Sequence, residues 1–483
     1  MKKRIIKRII ASIVCLSVAG QLKVLSQPDN INKLTLKQCV EAAINNNLQV
    51  RQSDLQMQTS AVNLRQAKAN ILPDLSAAFN HGISQGRSID PFTNGYINQK
   101  LTSANYSLGS GIVLFNGFQL QNLIKQNGLT HEADKMDLQQ TKDNITLNVI
   151  LAYLQILNNE EQLQQSKNQA DVSRRQVERL NVMNESGAIS PAELYDLKGQ
   201  LASDQIAIVT NQNAVNSAKL SLSQLMNVKY NSNTEVEKMN ADTLTLDYSN
   251  DPAALYAISV KQLAIVKASE LRKQSAQKGV KVAKGYYYPT VDLGGNLYTN
   301  YSDAATKSIP LNTVEAASGD YVNVGGAKVP VMTSRTNYSS QKISYGDQFN
   351  NNYYTQVYLS IRVPILNRFT AKNRVALAKI DLKKAEAEAE TVKTQLSQNI
   401  EQAYFNMTAA LQKYKALQEQ VKDFSESFRI AEVRFNAGAI NEKEYLIAKN
   451  NADRSNVDLI ANKYDYLFRI KILDYYQNKL SLE

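Results

Sequence analysis

Beyond its first 26 residues the chain has no run of 18 consecutive apolar residues, so none of it can cross a bilayer as a helix. Cysteine is nearly absent, with only Cys15 and Cys39, and histidine is limited to His81 and His131. A lone thiol after removal of a leader cannot form an internal disulfide, so packing alone must hold the fold. No spacing suits a metal site, and there is no nucleophile elbow or phosphate-binding glycine loop. Glu160 with Glu161, and the alternating Glu386, Glu388 and Glu390, read as exposed helix charges rather than acid–base pairs. The chain therefore reads as neither an enzyme nor a cofactor carrier.

Proline is also scarce, and none occurs within residues 119–186 or 370–436. What is present begins with a leader. Lys2, Lys3, Arg4, Lys7 and Arg8 precede an apolar run from Ile9 to Ala19 that is too short to span a membrane, which is the pattern of a secretory signal peptide. Cleavage is expected after Ser26, with Gly20 the alternative, and Val14 before Cys15 argues against a lipid anchor. Loss of residues 1–26 removes six basic residues and no acidic ones, taking the formal charge from +11 to +5. A nucleic-acid partner is then not expected. If the exported chain meets a membrane, it does so with strands.

The sequence is written twice. Asn148-Val149-Ile150-Leu151-Ala152-Tyr153 returns 251 residues later as Asn399-Ile400-Glu401-Gln402-Ala403-Tyr404, and Gly187-Ala188-Ile189 returns as Gly438-Ala439-Ile440. Upstream, Ile71-Leu72-Pro73 matches Tyr287-Tyr288-Pro289 at an offset of 216, so the second copy carries 35 extra residues before Leu366. One architecture built from two like parts is implied. The expected divisions are a leader at 1–26, a first repeat at 27–228, a linker at 229–251 and a second repeat at 252–483.

Each repeat opens with helical patterning, Leu36 to Ala69 and Pro252 to Gly285, that stops before Pro73 or Pro289. Period-two alternation follows. Leu75, Ala77 and Phe79, then Tyr106, Leu108, Ile112 and Leu114, mark two strands in the first repeat. Val291, Leu293 and Leu297, then Val357, Leu359, Ile361 and Val363, mark two in the second. Asp292, Asn296, Gln356 and Arg362 alternate with the apolar set and are candidates for a barrel lumen. The runs approach the length of tilted membrane strands and are bordered by tyrosines, among them Tyr286 to Tyr288, Tyr353 and Tyr354. Four strands cannot close a membrane barrel, so the barrel must be shared between chains. The stretch from Ser302 to Asn350 is expected to be a long polar loop.

After the second strand of each repeat come very long helices, Gln119 to Ser186 and Thr370 to Asn436, each about 100 Å long at 1.5 Å per residue. Heptad spines run through Val149, Ile156, Leu163, Ala170 and Val177, and through Ile400, Met407, Tyr414, Val421 and Phe428. The neighbouring track of Ile145, Ala152, Asn159, Ser166, Ser173 and Leu180 suits a ring of helices with one wet flank. Both helices stop at a glycine and restart at Ser190-Pro191-Ala192-Glu193 or Asn441-Glu442-Lys443-Glu444. These read as capping boxes that open return helices to about Val228 and Gln477.

The order of helix, strand pair, long helix, Gly-Ala-Ile turn and return helix, given twice behind a leader, resembles the outer membrane efflux (TolC-like) family. Further matches are Leu34-Thr35-Leu36 with Ala42-Ala43 and Asn45-Asn46-Asn47, and the strand exits Leu114-Phe115-Asn116-Gly117 and Val363-Pro364-Ile365-Leu366-Asn367. Arg368 departs from the pattern by standing where Gly117 stands in the first repeat. The resemblance implies an α+β membrane protein in which duplicated long hairpins form an α-helical barrel and four strands enter a shared transmembrane β-barrel. It further implies a homotrimer in outer membrane lipid, with a large periplasmic helical portion, a periplasmic adaptor and an inner-membrane pump as partners. The function implied is an outer membrane channel of tripartite efflux or type I secretion; a periplasmic adaptor or an exported coiled-coil protein are the rival classes. Glu193 and Glu444 become candidates for a periplasmic gate, and Gly187, Ala188, Gly438 and Ala439 for the adaptor-docking tip.

Overall fold

The computed structural model describes residues 33–89, 94–98, 100–238 and 251–480; the expected leader and most of the expected linker lie outside them. In chain order the elements are α1 (Leu36–Asn46), α2 (Leu48–Ala69), β1 (Asp74–Ser84), β2 (Arg87–Ile89), β3 (Tyr96–Asn98) and β4 (Leu101–Phe115). The first long hairpin follows as α3 (Gln119–Glu185) and α4 (Pro191–Leu225). The second repeat contains α5 (Pro252–Gln262), α6 (Ala264–Gly285), β5 (Thr290–Ser302), β6 (Thr306–Val324), β7 (Ala327–Lys342), α7 (Tyr345–Asn351) and β8 (Tyr354–Arg362). It ends with α8 (Thr370–Asn436) and α9 (Glu442–Tyr476). No described helix is long and apolar enough to cross a membrane.

β1, β4, β5 and β8 form one antiparallel sheet in that order. The helices leave from one end of it. Nearest the strands they lie side by side as α2, α3, α6 and α8; toward the far end the order becomes α4, α3, α9 and α8. The α2 side is thus continuous with β1, and the α8 side with β8. This layered order repeats the duplication in space, since α2 and β1 correspond to α6 and β5, and β4 and α3 to β8 and α8.

The heptad reading accounts for the packing of the first hairpin. Val149, Ile156, Leu163, Ala170 and Val177 are all buried, and Ile400 and Met407 are buried in the second. Tyr414, Val421 and Phe428 are half-buried. The neighbouring track does not face water as expected. Asn159, Ser166 and Ser173 are buried and join α3 to α4: Asn159 Nδ2 donates to Ala214 O (3.0 Å), and Asn211 Nδ2 donates to Ser166 Oγ (2.6 Å). Ser173 Oγ donates to Asp204 Oδ2 (2.5 Å). Small polar side chains let the helix backbones lie close while satisfying one another, so polarity here marks a helix seam.

The expected loop at 302–350 is instead a long hairpin, β6 with β7, followed by the short α7. Gly325 and Gly326, with φ of 61° and 90°, form its tip between Val322-Asn323-Val324 and Val329-Pro330-Val331. Two consecutive positive-φ residues make the tight turn whose twist matches paired strands. The polar composition masked this signal. The capping boxes are also incomplete. Ser190 Oγ accepts from Ala192 N (3.3 Å) and Asn441 Oδ1 from Glu444 N (2.9 Å), but among the described residues neither glutamate returns the second bond.

Ile400, fully buried among Leu396, Tyr466 and Leu473, is the sharpest test of the second spine. Ile400→Ala should cost about 2–5 kcal/mol through lost contacts and the cavity left behind. Thermal loss of helical circular dichroism in detergent measures it; an unchanged midpoint would mean that this spine is not a core.

Candidate functional site

Two regions carry the features that the sequence singled out, the sheet and the far ends of the hairpins. Strand pairing fixes which side chains share a face. Leu75, Ala77 and Phe79 lie level with Ser110, Leu108 and Tyr106; Leu108, Ile112 and Phe115 lie level with Leu297, Leu293 and Val291; and those last two lie level with Leu359 and Ile361. Short of the end where Phe349 and Tyr345 of α7 pack against Tyr106, Thr299 and Tyr301, the resulting apolar face is uncovered: Leu75, Phe79, Val357, Leu359 and Ile361 are 73, 72, 80, 58 and 62% exposed. A contiguous bare apolar face of this extent needs an apolar partner. The opposite face carries Ser76, Asn80, Asn105, Ser107 and Asn300.

All four lumen candidates stand on that second face. Asp292 pairs with Ser360, Asn296 with Gln356, and Arg362 with Thr290. Asp74 Oδ1 accepts from Gly111 N (2.7 Å), tying a carboxylate into the polar side. The Tyr358 ring covers Gly294 so closely that an added Cβ would lie 2.5 Å from it, which accounts for glycine there. Among the described residues β1 and β8 each have one neighbour, so both outer edges offer unpaired backbone groups.

At the far end, Gly187 (φ 73°) and Gly438 (φ 70°) close both hairpins. Ala188 N donates to Met183 O and Ala439 N to Arg434 O, both at 2.8 Å, the six-residue closure that follows a left-handed glycine. An added Cβ at either glycine would meet nothing within 4 Å, so conformation and not space requires glycine. Ala188 and Ala439 are exposed, Glu193 is half-buried and Glu444 is exposed. The two tips lie together. Arg179 hydrogen-bonds both Oδ1 and the carbonyl of Asn436, and Phe435 stacks on Tyr445 beside Leu194 and Leu197.

Behind the tips lies a cluster that sequence reading missed. Lys449 of α9, 0% exposed, donates to Asp204 Oδ2 of α4 (3.1 Å) and Asp453 Oδ2 (2.6 Å). Ser173 of α3 and Gln200 of α4 (2.8 Å) also donate to Asp204. Burial holds Asp453 above the usual carboxylate range although Lys449 pulls it down. The signal was available, because Lys449 sits on the buried stripe of α9 with Tyr445, Ala452 and Ser455. His131 Nδ1 lies 3.1 Å from the buried Ser60 Oγ, and burial pushes the Cys39 thiol up to about 11. Among the described residues no group of acidic, histidine and cysteine side chains could hold a metal.

The model of the outer membrane efflux protein family matches residues 39–228 and 263–469, one span in each repeat. The chain belongs to the outer membrane efflux protein family. It is 21% identical over 461 residues to outer membrane protein TolC of Escherichia coli, covering 95% of this chain and 84% of that relative. It is 22% identical over 444 residues to toxin and drug export protein A of Aggregatibacter actinomycetemcomitans, covering 89% and 83%. Its fold is similar to that of CusC, with a TM-score of 0.74, 15% identity and 95% coverage of both chains. The Vibrio cholerae outer membrane protein VceC gives a TM-score of 0.72 at 13% identity, covering 92% of this chain and 97% of that one. An outer membrane efflux protein is a transport channel with a β-barrel and a long periplasmic helical barrel, so the bare apolar face belongs in lipid. The adaptor and exported coiled-coil alternatives are set aside by this membership.

Removing Lys449 would strand the buried Asp204 without a cation. Lys449→Ala should therefore cost about 3–5 kcal/mol, and a second change, Asp204→Asn, should recover part of it. Limited proteolysis at the two tips, together with the thermal midpoint, measures the effect; equal resistance in Lys449→Ala and the parent would show that the cluster contributes nothing.

Proposed function

We propose that three copies of the chain form an outer membrane channel continuous with a periplasmic helical tunnel, in a tripartite efflux or type I secretion system. An inner-membrane transporter and a periplasmic adaptor would deliver its cargo. The observation that carries this reading is the matching pair of open edges. One edge is β1 with α2, where Leu48, Leu55 and Val62 are exposed at seven-residue spacing; the other is β8 with α8, where Leu377 and Ile380 are exposed. Different edges that complement each other join head to tail and close a ring. Two copies would give eight strands, an interior about filled by side chains, whereas three give twelve and leave room for a pore.

In that ring the polar face with Asp292, Asn296, Gln356 and Arg362 turns to the lumen, and the face with Phe79 and Leu359 turns to lipid. Repeats 27–228 and 252–483, joined by 229–251, then alternate around the axis. The tips at Gly187, Ala188, Gly438 and Ala439 lie farthest from the membrane and meet the adaptor. Glu193 and Glu444, one turn behind them, each become a ring of three carboxylates at the periplasmic end. Such rings concentrate cations and repel anions at a constriction.

Conductance tests the gate. Glu193→Gln with Glu444→Gln keeps the helix starts but removes six charges per trimer, so cation preference or divalent block in planar bilayers should fall. Unchanged selectivity and conductance would remove the gate assignment. For the tip, Ala188→Trp with Ala439→Trp should abolish transport at normal yield of assembled protein; transport at the parental rate would place adaptor docking elsewhere.

A further inference from the structure

The duplication supplies a template for a contact that one chain cannot contain. Where the two repeats adjoin within the chain, the β4–β5 seam continues into an α3–α6 seam. At the joint Gly117 (φ 66°) lies so close to the end of α6 that an added Cβ would be 2.6 Å from Gly285 O and 2.8 Å from Tyr288 Cβ. A Cβ on Gly285 would collide with Gln119 in turn. Further along, Thr130 Oγ1 lies 2.9 Å from Ser275 Oγ, and Arg272 pairs with Asp134 (3.6 Å) and with Asp137. Glycines thus make the intrachain seam tight.

The repeat register gives every one of these positions a counterpart. Gly117 becomes Arg368 and Gln119 becomes Thr370 at an offset of 251; Gly285 becomes Ala69 and Tyr288 becomes Leu72 at 216. The local geometry is kept. Gln119 N and Thr370 N donate to the carbonyls of Asn116 (3.4 Å) and Asn367 (3.0 Å), and Phe118 (φ 61°) and Phe369 (φ 59°) are both left-handed. Arg368 itself holds φ 53°, the conformation that Gly117 takes freely and that any side chain disfavours. It is exposed, and among the described residues its guanidinium has no hydrogen-bond or ion-pair partner. Its counterpart surface, the end of α2 with Ala69 and Leu72, is likewise exposed on the opposite edge of the chain.

We infer that Arg368 seats against the carboxyl-terminal end of α2 in the neighbouring copy and pins the seam between chains, an inference that rests on the ring-forming reading above. The steric pattern fits. This seam cannot close as tightly as the glycine seam, because both Gly117 and Gly285 are replaced by residues carrying a Cβ. An arginine stands where the glycine of the tight seam stood. Thr370 keeps atoms at the γ position that a Cβ on Gly285 would strike in Gln119, so the Ala69 methyl group adds to the spacing of this seam. The carbonyls of the last turn of α2 carry partial negative charge; those of Gln66, Lys68 and Ala69 already accept from Asn70, Ile71 and Leu72 N, and each keeps a second lone pair for one of the five donors of the planar guanidinium. Two kinds of seam then alternate around the assembly, a glycine seam within each chain and an arginine seam between chains.

The two roles open to Arg368 move in opposite directions on substitution. Arg368→Gly relieves the left-handed backbone, so a residue serving only its own turn would leave the assembly more stable. The pin instead predicts a lower dissociation temperature for the detergent-solubilised oligomer, with Arg368→Lys falling in between. In a Cys39→Ser background, Arg368→Cys combined with Ala69→Cys should give oxidised species of two and three chains on denaturing gels, since positions 368 and 69 lie on opposite edges of one chain. An oligomer of normal mass without these bands, or one stabilised by Arg368→Gly, overturns the pin alone. Absence of any oligomer overturns the ring as well.

Discussion

The structure depends on one constraint: inside a bilayer, backbone groups at a strand edge have no water to bond. Each unpaired N–H or C=O in hydrocarbon costs several kcal/mol, so an open sheet with a lipid-facing side cannot persist there. This chain builds a sheet with an apolar face carrying Phe79, Leu359 and Ile361, and leaves the outer edges of β1 and β8 unpaired. The apolar face sends the sheet into lipid, and lipid then requires the edges to be joined. Assembly follows from hydrogen bonding at the edges rather than from any single side-chain contact.

The helices are placed by the same sheet. Each strand opposite the free hairpins runs into or out of a helix, so the strand order is copied into the helical layer. The glycine joint at Gly117 and Gly285 keeps strand pairing and helix packing in step. Farther from the membrane the chain holds itself together by different means. Buried heptad residues such as Val149 and Ile156 are interleaved with small polar partners such as Asn159 and Ser166, and the Lys449 cluster ties the two hairpins behind their tips. A long thin hairpin has no globular core, so each turn of helix must find its partners locally.

Much of this was legible because the signals were periodic or repeated. Alternation gave the four sheet strands and the shared face of Asp292, Asn296, Gln356 and Arg362; the heptads gave the buried spine of α3 and the buried first part of the spine of α8; and a glycine before each restart gave the tips. What escaped depended on context. The β6–β7 hairpin hides in polar composition although Gly325-Gly326 between valine pairs marks its turn. Ser166 and Ser173 look like surface residues until a second helix is laid against them. Lys449 reads as an exposed charge unless its place on the α9 stripe is weighed with Asp204, which lies 245 residues away in sequence. The capping glutamates met their positional pattern, but the reciprocal bond needs a side-chain geometry that no sequence pattern specifies.

Native mass spectrometry of the detergent-extracted protein, combined with its strand content by circular dichroism, tests the central claim most directly. Closure of open edges into one barrel predicts a single species of three chains with full strand content. A monodisperse single chain that keeps the same strand content would contradict it, because the edges of β1 and β8 would then be stable without a neighbour.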